Sequence, residues 1–365
     1  MIERIKRRPH GGDVWKFSRE HKVPLEEIID FSAPINPFGA PPMAIEAIKN
    51  FSQIIKFYPD RDPKELKESI ANYIGGVTAD NVVLGNGSVE LIYAFIELFA
   101  KKQEVAIIVP SFTEYEGAVL RSGSKPIHVR LAEDFSIDAK VVKEAICGEV
   151  KMLVICNPNS PSGRVFKKDL ILDIVEYCRE KSVMVLVDEN YMDFIDPSWD
   201  YSVSQQVNEF DNLFVVGSFS KFFGMPGLRI GYGIGRPELV QNIEDHLIPW
   251  NINALSIVAA KAALNDKDFI EKTKSYIKME REKLVEMLKQ IKALKVYPSA
   301  TNFLLIRILS DGVNARMLQE KLAKEKILIR TCEDFHGLND KYFRISIRKP
   351  EENRILVEAL KRILE

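Results

Sequence analysis

Between about Pro59 and Ile234 the chain alternates helix-periodic stretches with short, continuous apolar runs, and nothing else in it limits the fold so much. The runs are Val82–Leu84, Val105–Val109, Ile127–Val129, Met152–Ile155, Val183–Val187, Leu213–Val216 and Arg229–Ile234. A strand with one wet face alternates apolar and polar residues; strands that are apolar throughout need cover on both faces. The expectation is an α/β fold, a large domain with a mainly parallel sheet covered by helices. After Pro237 the pattern changes. A charged amphipathic stretch from about Asp266 to Lys292 predicts one long connecting helix. Beyond it Phe303–Ile308, Ile327–Arg330 and Tyr342–Ile347 read as strands, with helices at about Asn314–Lys324 and Glu351–Leu364. That is a smaller α+β domain. Asp62-Pro63 suits the N-cap and first turn of a helix running through Tyr73.

A length of 365 residues fits a large domain plus a smaller one. Lys+Arg 51 against Asp+Glu 52 leaves a net charge of −1, which argues against nucleic acid or an anionic membrane surface as partner. Cys147, Cys156, Cys178 and Cys332 are scattered, with neither a close pair nor a Cys/His cluster. A disulfide framework or a metal site is therefore not expected, and a reducing cytoplasm is. Met1 to Pro9 has basic residues with no apolar core behind them, unlike a signal peptide. No apolar run approaches the roughly 20 residues that cross a bilayer.

Polar motifs gather at the ends of the expected strands. Ser218-Phe219-Ser220-Lys221 follows Leu213–Val216, with Arg229 a little further on in Gly227-Leu228-Arg229-Ile230-Gly231-Tyr232. An amine, two hydroxyls and a guanidinium at a strand end make up what pyridoxal phosphate (PLP) requires, a lysine for a Schiff base and a fixed cation for the phosphate. Val183–Val187 ends in Asp188-Glu189-Asn190-Tyr191. Asp188 either caps the next helix or meets a cation such as a protonated pyridine nitrogen. Gly85-Asn86-Gly87-Ser88-Val89-Glu90-Leu91 leads into an apolar helix, whose free first-turn amides suit an anion. Cys156-Asn157-Pro158-Asn159-Ser160-Pro161-Ser162-Gly163 sits at the carboxyl end of another strand, the edge where parallel sheets bind ligands.

With these motifs the chain resembles the fold-type I PLP-dependent enzymes, the aminotransferase superfamily, over nearly its whole length. Within it the chain looks closest to the threonine-phosphate decarboxylases of cobalamin biosynthesis, with the histidinol-phosphate aminotransferases next. The residues that carry this are His10-Gly11-Gly12-Asp13, the segment Asp30 to Gly39, Pro249 to Leu255, Ile327 to Cys332 and Tyr342 to Arg348. The resemblance implies a PLP-binding domain over 36–255 and a small C-terminal domain with its connecting helix over 256–365. The N-terminal segment 1–35 would join the small domain and supply a substrate loop.

Residue by residue, the resemblance gives Lys221 the covalent link to PLP and, once released, proton transfer at the substrate α-carbon. Asp188 would pair with the pyridine nitrogen and Tyr191 would reach the ring hydroxyl. Gly87, Ser88, Val89, Ser218, Ser220 and Arg229 would hold the phosphate. Phe112 would stack on the ring, its alternative being an ordinary core aromatic. Tyr58 matches a tyrosine that reaches the phosphate in the partner subunit, which implies a homodimer with sites at the interface. For substrate, His10 and Gly11 match a closing loop, and Arg330 and Arg344 match two anion-binding arginines, with Arg348 less constrained.

Two positions depart from the family pattern. Ser160 stands where an asparagine usually contacts cofactor and substrate, and Pro34 where the decarboxylases carry another. Asn36 survives as a candidate substrate contact. The expected activity is decarboxylation of L-threonine O-3-phosphate to aminopropanol phosphate. The alternative is amino transfer from a phosphorylated or acidic amino compound such as histidinol phosphate. A non-catalytic PLP-binding sensor is disfavoured, since no nucleic-acid-binding module is expected before Pro9.

Overall fold

The computed structural model describes residues 10–196 and 198–365; Met1 to Pro9, part of the expected N-terminal segment, lie outside them. In chain order the strands are β1 (Ile29–Asp30), β2 (Val82–Gly85), β3 (Glu104–Val109), β4 (Lys125–Arg130), β5 (Val150–Cys156), β6 (Met184–Asp188) and β7 (Leu213–Ser218). They continue with β8 (Gly231–Ile234), β9 (Leu294–Val296), β10 (Phe303–Ile308), β11 (Ile327–Leu328), β12 (Arg330–Thr331) and β13 (Tyr342–Ser346). The large sheet has seven strands in the order β2-β8-β7-β6-β5-β3-β4. All its pairings are parallel except those of β8, which runs against both neighbours.

The continuous apolar runs are explained by cover on both faces. Along β5, Leu153 and Ile155 belong to one apolar cluster, Met152, Val154 and Cys156 to another. The first cluster is completed by helices Lys64–Ile74, Lys168–Glu180 and Lys267–Lys289, through Leu66, Ile174 and Leu284 among others. The second is closed by helices Ser88–Ala100, Glu114–Arg121 and Pro237–His246, through Phe95, Val119 and Ile243.

A four-stranded sheet, β12-β13-β10-β9, forms the smaller α+β unit with helices Ala315–Ala323 and Pro350–Leu364. The chain's early strand β1 pairs in parallel with β11, so residues near the N-terminus are bound to the C-terminal part.

Several expectations need local correction. The single strand expected over Ile327–Arg330 is two, because Ile327–Leu328 pairs with β1 while Arg330–Thr331 turns to β13. The long helix begins at Lys267 and ends at Lys289, its N-terminus capped by Asp266, whose carboxylate accepts from the Phe269 amide at 3.2 Å. Asp62 does not cap its helix, which starts at Lys64; its carboxylate pairs with Lys67 at 2.9 Å instead. Arg229 precedes β8 in the left-handed conformation (φ 55°, ψ 59°), which ends the extended run there. Among the described residues no helix is long and apolar enough to cross a membrane.

Candidate active site

Strand register brings the motifs to one edge. Cys156 at the end of β5 pairs with Asp188 at the end of β6, and β7 ends beside it at Ser218, opposite Gly231. Gly231 also faces Gly85 at the end of β2. Because β8 is antiparallel, its beginning lies at the edge where the other strands end, which delivers Arg229 there. Lys221, in the loop after β7, completes the set.

A pocket at this edge is lined by His10, Gly11, Pro34, Ser88, Val89, Phe112, Ser160, Asp188, Tyr191, Ser218, Ser220, Lys221, Arg229, Arg330 and Arg344, all singled out from sequence. Burial, then the Arg344 and Arg229 cations, push the Lys221 ammonium down to about 8, against the pull of Asp30 and Asp188. Roughly a tenth of the amine is therefore neutral at pH 7, far more than for an unperturbed lysine, as a nucleophile requires.

Asp188 is buried and accepts three hydrogen bonds, from the Tyr115 hydroxyl at 2.6 Å and from the Asn190 backbone and side-chain amides at 2.9 and 2.7 Å. Burial raises its pKa while these donors lower it. The short helix that follows has Tyr191, not Asp188, at its cap position. Tyr191 is buried, its ring edge-on to Phe303 at 4.9 Å, and burial raises its pKa.

Helix Ser88–Ala100 starts against Arg229. Gly87, its N-cap, has φ 77° and ψ 158°, and a Cβ there would lie 2.3 Å from Arg229 Nη2. Only glycine lets the guanidinium lie over this helix start, where the Ser88 and Val89 amides have no carbonyl partner among the described residues. Arg229 makes no ion pair among the described residues; it donates to the Pro226 carbonyl at 3.1 Å. Ser218 and Ser220 are buried beside it.

The two arginines expected to bind substrate stand differently. Arg330 donates to both carboxylate oxygens of Asp334, at 2.9 and 2.7 Å, and to the Thr331 carbonyl. Arg344 is buried and donates to Ser160 Oγ at 2.9 Å and the Ser32 carbonyl at 3.1 Å, while its Nε has no partner. No carboxylate among the described residues pairs with it. Burial lowers its pKa. A buried guanidinium without a counter-ion is a site for an anion.

Two expected contacts, those of Asn36 and Gly87, differ. Asn36 does not line the pocket: its amide donates to the Phe222 carbonyl at 2.7 Å and to Thr273 Oγ1 at 2.9 Å. Its backbone amide donates to the Lys221 carbonyl at 3.0 Å, so it fixes the lysine loop rather than a substrate. Gly87 lies behind Arg229 rather than on the pocket wall. Tyr58, expected at the partner's site, is 80% exposed and outside this chain's own pocket, its ring tilted 33° against Trp250 with centroids 4.9 Å apart. Arg348 holds Glu352 at 2.8 Å and the Asp30 carbonyl at 3.0 Å.

Tyr115, Asn190 and Cys156 were not singled out from sequence. Asn190 stands two residues after Asp188, the spacing of an Asx turn, which was a usable signal. Tyr115 and Cys156 come into play only through the packing of separate elements; burial pushes the Cys156 thiol up to about 12.

These residues fit PLP: a lysine with a lowered pKa, a buried carboxylate, and an anion site of serines, helix-start amides and an arginine, all lining one pocket. Fold and site together define a PLP-dependent enzyme of fold type I. The sequence model for "Aminotransferase class I and II" matches residues 26–360. The chain belongs to that family. It is 36% identical over 366 residues to a protein provisionally named a threonine-phosphate decarboxylase, from Caldanaerobacter subterraneus, covering 100% of this chain and 96% of the relative. It is 30% identical to a histidinol-phosphate aminotransferase of Methanosarcina mazei, covering 96% of this chain and 92% of that one. The crystal structure of the histidinol-phosphate aminotransferase from Clostridium acetobutylicum superposes with a TM-score of 0.85 at 33% identity, over 92% of this chain and 99% of its own.

Proposed function

We propose that this enzyme decarboxylates L-threonine O-3-phosphate to (R)-1-aminopropan-2-yl phosphate. The observation that carries this reading is the pairing of one buried arginine lacking a carboxylate, Arg344, with a second arginine, Arg330, on the same wall. Such a wall takes a substrate with two anionic groups, and the full-length relative at 36% identity bears the decarboxylase name.

When bound, PLP supplies an electron sink conjugated to the substrate α-carbon. Lys221 would hold it, with Asp188 keeping a proton at its ring nitrogen and Tyr191 beside its hydroxyl. Ser88, Val89, Ser218, Ser220 and Arg229 would bind its phosphate, and Phe112 would face the ring. Arg344 would fix the substrate carboxylate. As that carboxylate leaves as CO2, its bonding electrons stay at the α-carbon, and the Lys221 ammonium delivers the proton that replaces it. Gly11 and His10, which contacts Glu114 at 2.8 Å, would close over the substrate. Ser160 serves the carboxylate site indirectly, by orienting Arg344.

A specific observation favours a second reading, amino transfer on a phosphorylated amino compound: a solved structure at 33% identity is a histidinol-phosphate aminotransferase. CO2 release and the visible spectrum, followed on adding phosphothreonine, separate the two. CO2 evolved at a substrate-dependent rate supports the decarboxylase; amino transfer to 2-oxoglutarate with no CO2 overturns it.

The reading also includes a cytoplasmic homodimer with Tyr58 at the partner's site. Phe51, Ile55, Phe57, Tyr58, Ile248 and Trp250 are all exposed apolar or aromatic side chains, as a face between subunits would be. A monomer by sedimentation at micromolar concentration would count against it.

A further inference from the structure

A cluster outside the pocket has no part in this chemistry. Glu116 lies in the first turn of helix Glu114–Arg121, His128 on the edge strand β4, and His336 in the segment between β12 and β13. Two consecutive elements and a segment near the C-terminal end of the chain therefore bring a carboxylate and two imidazoles together. His336 Nε2 is 2.8 Å from Glu116 Oε2, and His128 Nε2 is 3.8 Å from the same oxygen. One ligand atom from each residue lies within 4.8 Å of the others. The imidazoles are in close contact, ring centroids 3.9 Å apart and tilted 31°.

We propose that Glu116, His128 and His336 bind one divalent transition-metal ion of the zinc type, linking the edge of the large sheet to the loop that carries Phe335.

Tetrahedral ligands at bond lengths of about 2.0–2.1 Å stand about 3.3 Å apart. The two separations from Glu116 bracket that value and the third is no more than 4.8 Å, so an ion enters by drawing the ligand atoms together by at most about 1.5 Å. Two imidazoles and one carboxylate are a donor set for zinc-like ions, and they leave a fourth position to water. Magnesium and calcium prefer all-oxygen shells and gain little here. Solvent reaches the cluster, since His336, His128 and Glu116 keep 48%, 27% and 15% of their side chains exposed.

The link would have a local consequence. Phe335, next to His336, lines the pocket and lies under the Arg330 guanidinium at 4.9 Å. On the other side, Glu116 shares a helical turn with Glu114, which contacts His10. A bound ion ties that wall of the pocket to the large sheet, and its binding requires both imidazoles to be neutral.

Calorimetric titration of the PLP-loaded protein with zinc chloride tests the site, with His128→Ala and His336→Ala as variants. The expected result is one ion per chain, with affinity reduced at least about tenfold in each variant, since each loses one of three ligands. Unchanged PLP absorbance and circular dichroism show that the variants fold. A second measurement needs no variant: cobalt(II) bound to the wild-type protein should give the intense visible bands of a four-coordinate ion in a difference spectrum. Zinc uptake that is absent, matched by magnesium, or equal in wild type and both variants overturns the proposal. So does a cobalt spectrum with only weak six-coordinate bands.

Discussion

Gly87→Ala addresses the phosphate cup through geometry alone, because no charge or hydrogen-bonding group is removed. At φ 77° and ψ 158° the residue occupies a region reached almost only by glycine, and alanine there costs about 1–3 kcal/mol. The new Cβ would lie 2.3 Å from Arg229 Nη2 and 3.0 Å from Cζ, so the guanidinium must move. A charge-assisted hydrogen bond to a phosphate contributes about 1.5–3 kcal/mol. Its loss alone weakens PLP binding roughly 10- to 150-fold at about 1.4 kcal/mol per decade. If the backbone keeps its shape, the strain lowers the stability of the apoprotein as well. If the backbone relaxes, the Ser88 and Val89 amides leave the phosphate position and PLP binding falls further. Titration of apoprotein with PLP, followed by the visible band, reads the first effect, and a thermal melt of apoprotein reads the second. A PLP Kd within threefold of wild type, with an unchanged melt, would refute the reasoning.

Three further outcomes follow from the same geometry. Lys221 titrates at about 8 in the folded chain against 10.5 in an unfolded one, so the unfolded state holds the proton more tightly. The resulting penalty on the apoprotein is full below about pH 8 and fades as pH rises toward 10.5; relative to Lys221→Met, urea melts should show on the order of 2–3 kcal/mol regained, and a pH-independent difference would contradict this. Arg344→Gln should leave the PLP spectrum intact while kcat/KM falls roughly 100- to 1,000-fold, a loss of one preorganised charge contact; steady-state kinetics within threefold of wild type would remove Arg344 from the carboxylate site. Asp188→Asn keeps the shape of the Tyr115 and Asn190 contacts but not the charge, and single-turnover kinetics should slow by at least about a hundredfold.

The sequence exposed the sheet and its ligand-binding edge because both depend on local signals. Continuous apolar runs mark strands covered on two faces, and a polar tip on each run marks its exit. The site residues lying directly on those tips, Lys221, Asp188, Ser218 and Ser88, were legible for that reason. Asn36 was misjudged because an amide in a loop can serve the backbone as well as a ligand; only the tertiary fold shows it 2.7 Å from the Phe222 carbonyl. Tyr115 was missed for the converse reason, since its contact with Asp188 arises from a helix packing against the sheet, and the pairing of Cys156 with Asp188 likewise needs the strand register. The break of Ile327–Arg330 into two strands has the same origin: a local apolar pattern cannot state which partner each half will find.

On the proposed reading the two arginines are not interchangeable, and their surroundings assign them. Arg330 already has a carboxylate, Asp334, on both of its nitrogens. A substrate carboxylate offers it no more charge than it has, whereas a phosphate near its second ionisation carries more negative charge and more acceptor oxygens. Arg344 has only a serine hydroxyl and a backbone carbonyl, with Nε unpaired in a buried setting. A monoanion there relieves a desolvated charge and meets no competitor. The carboxylate therefore belongs to Arg344 and the more highly charged group to Arg330. This polarity sets one end of the substrate near Lys221, which stands close enough to Arg344 for that cation to depress its pKa. Binding the carboxylate lessens that repulsion and raises the lysine's affinity for a proton. Once released from PLP, the Lys221 amine thus holds a proton for the α-carbon most firmly while the carboxylate is in place.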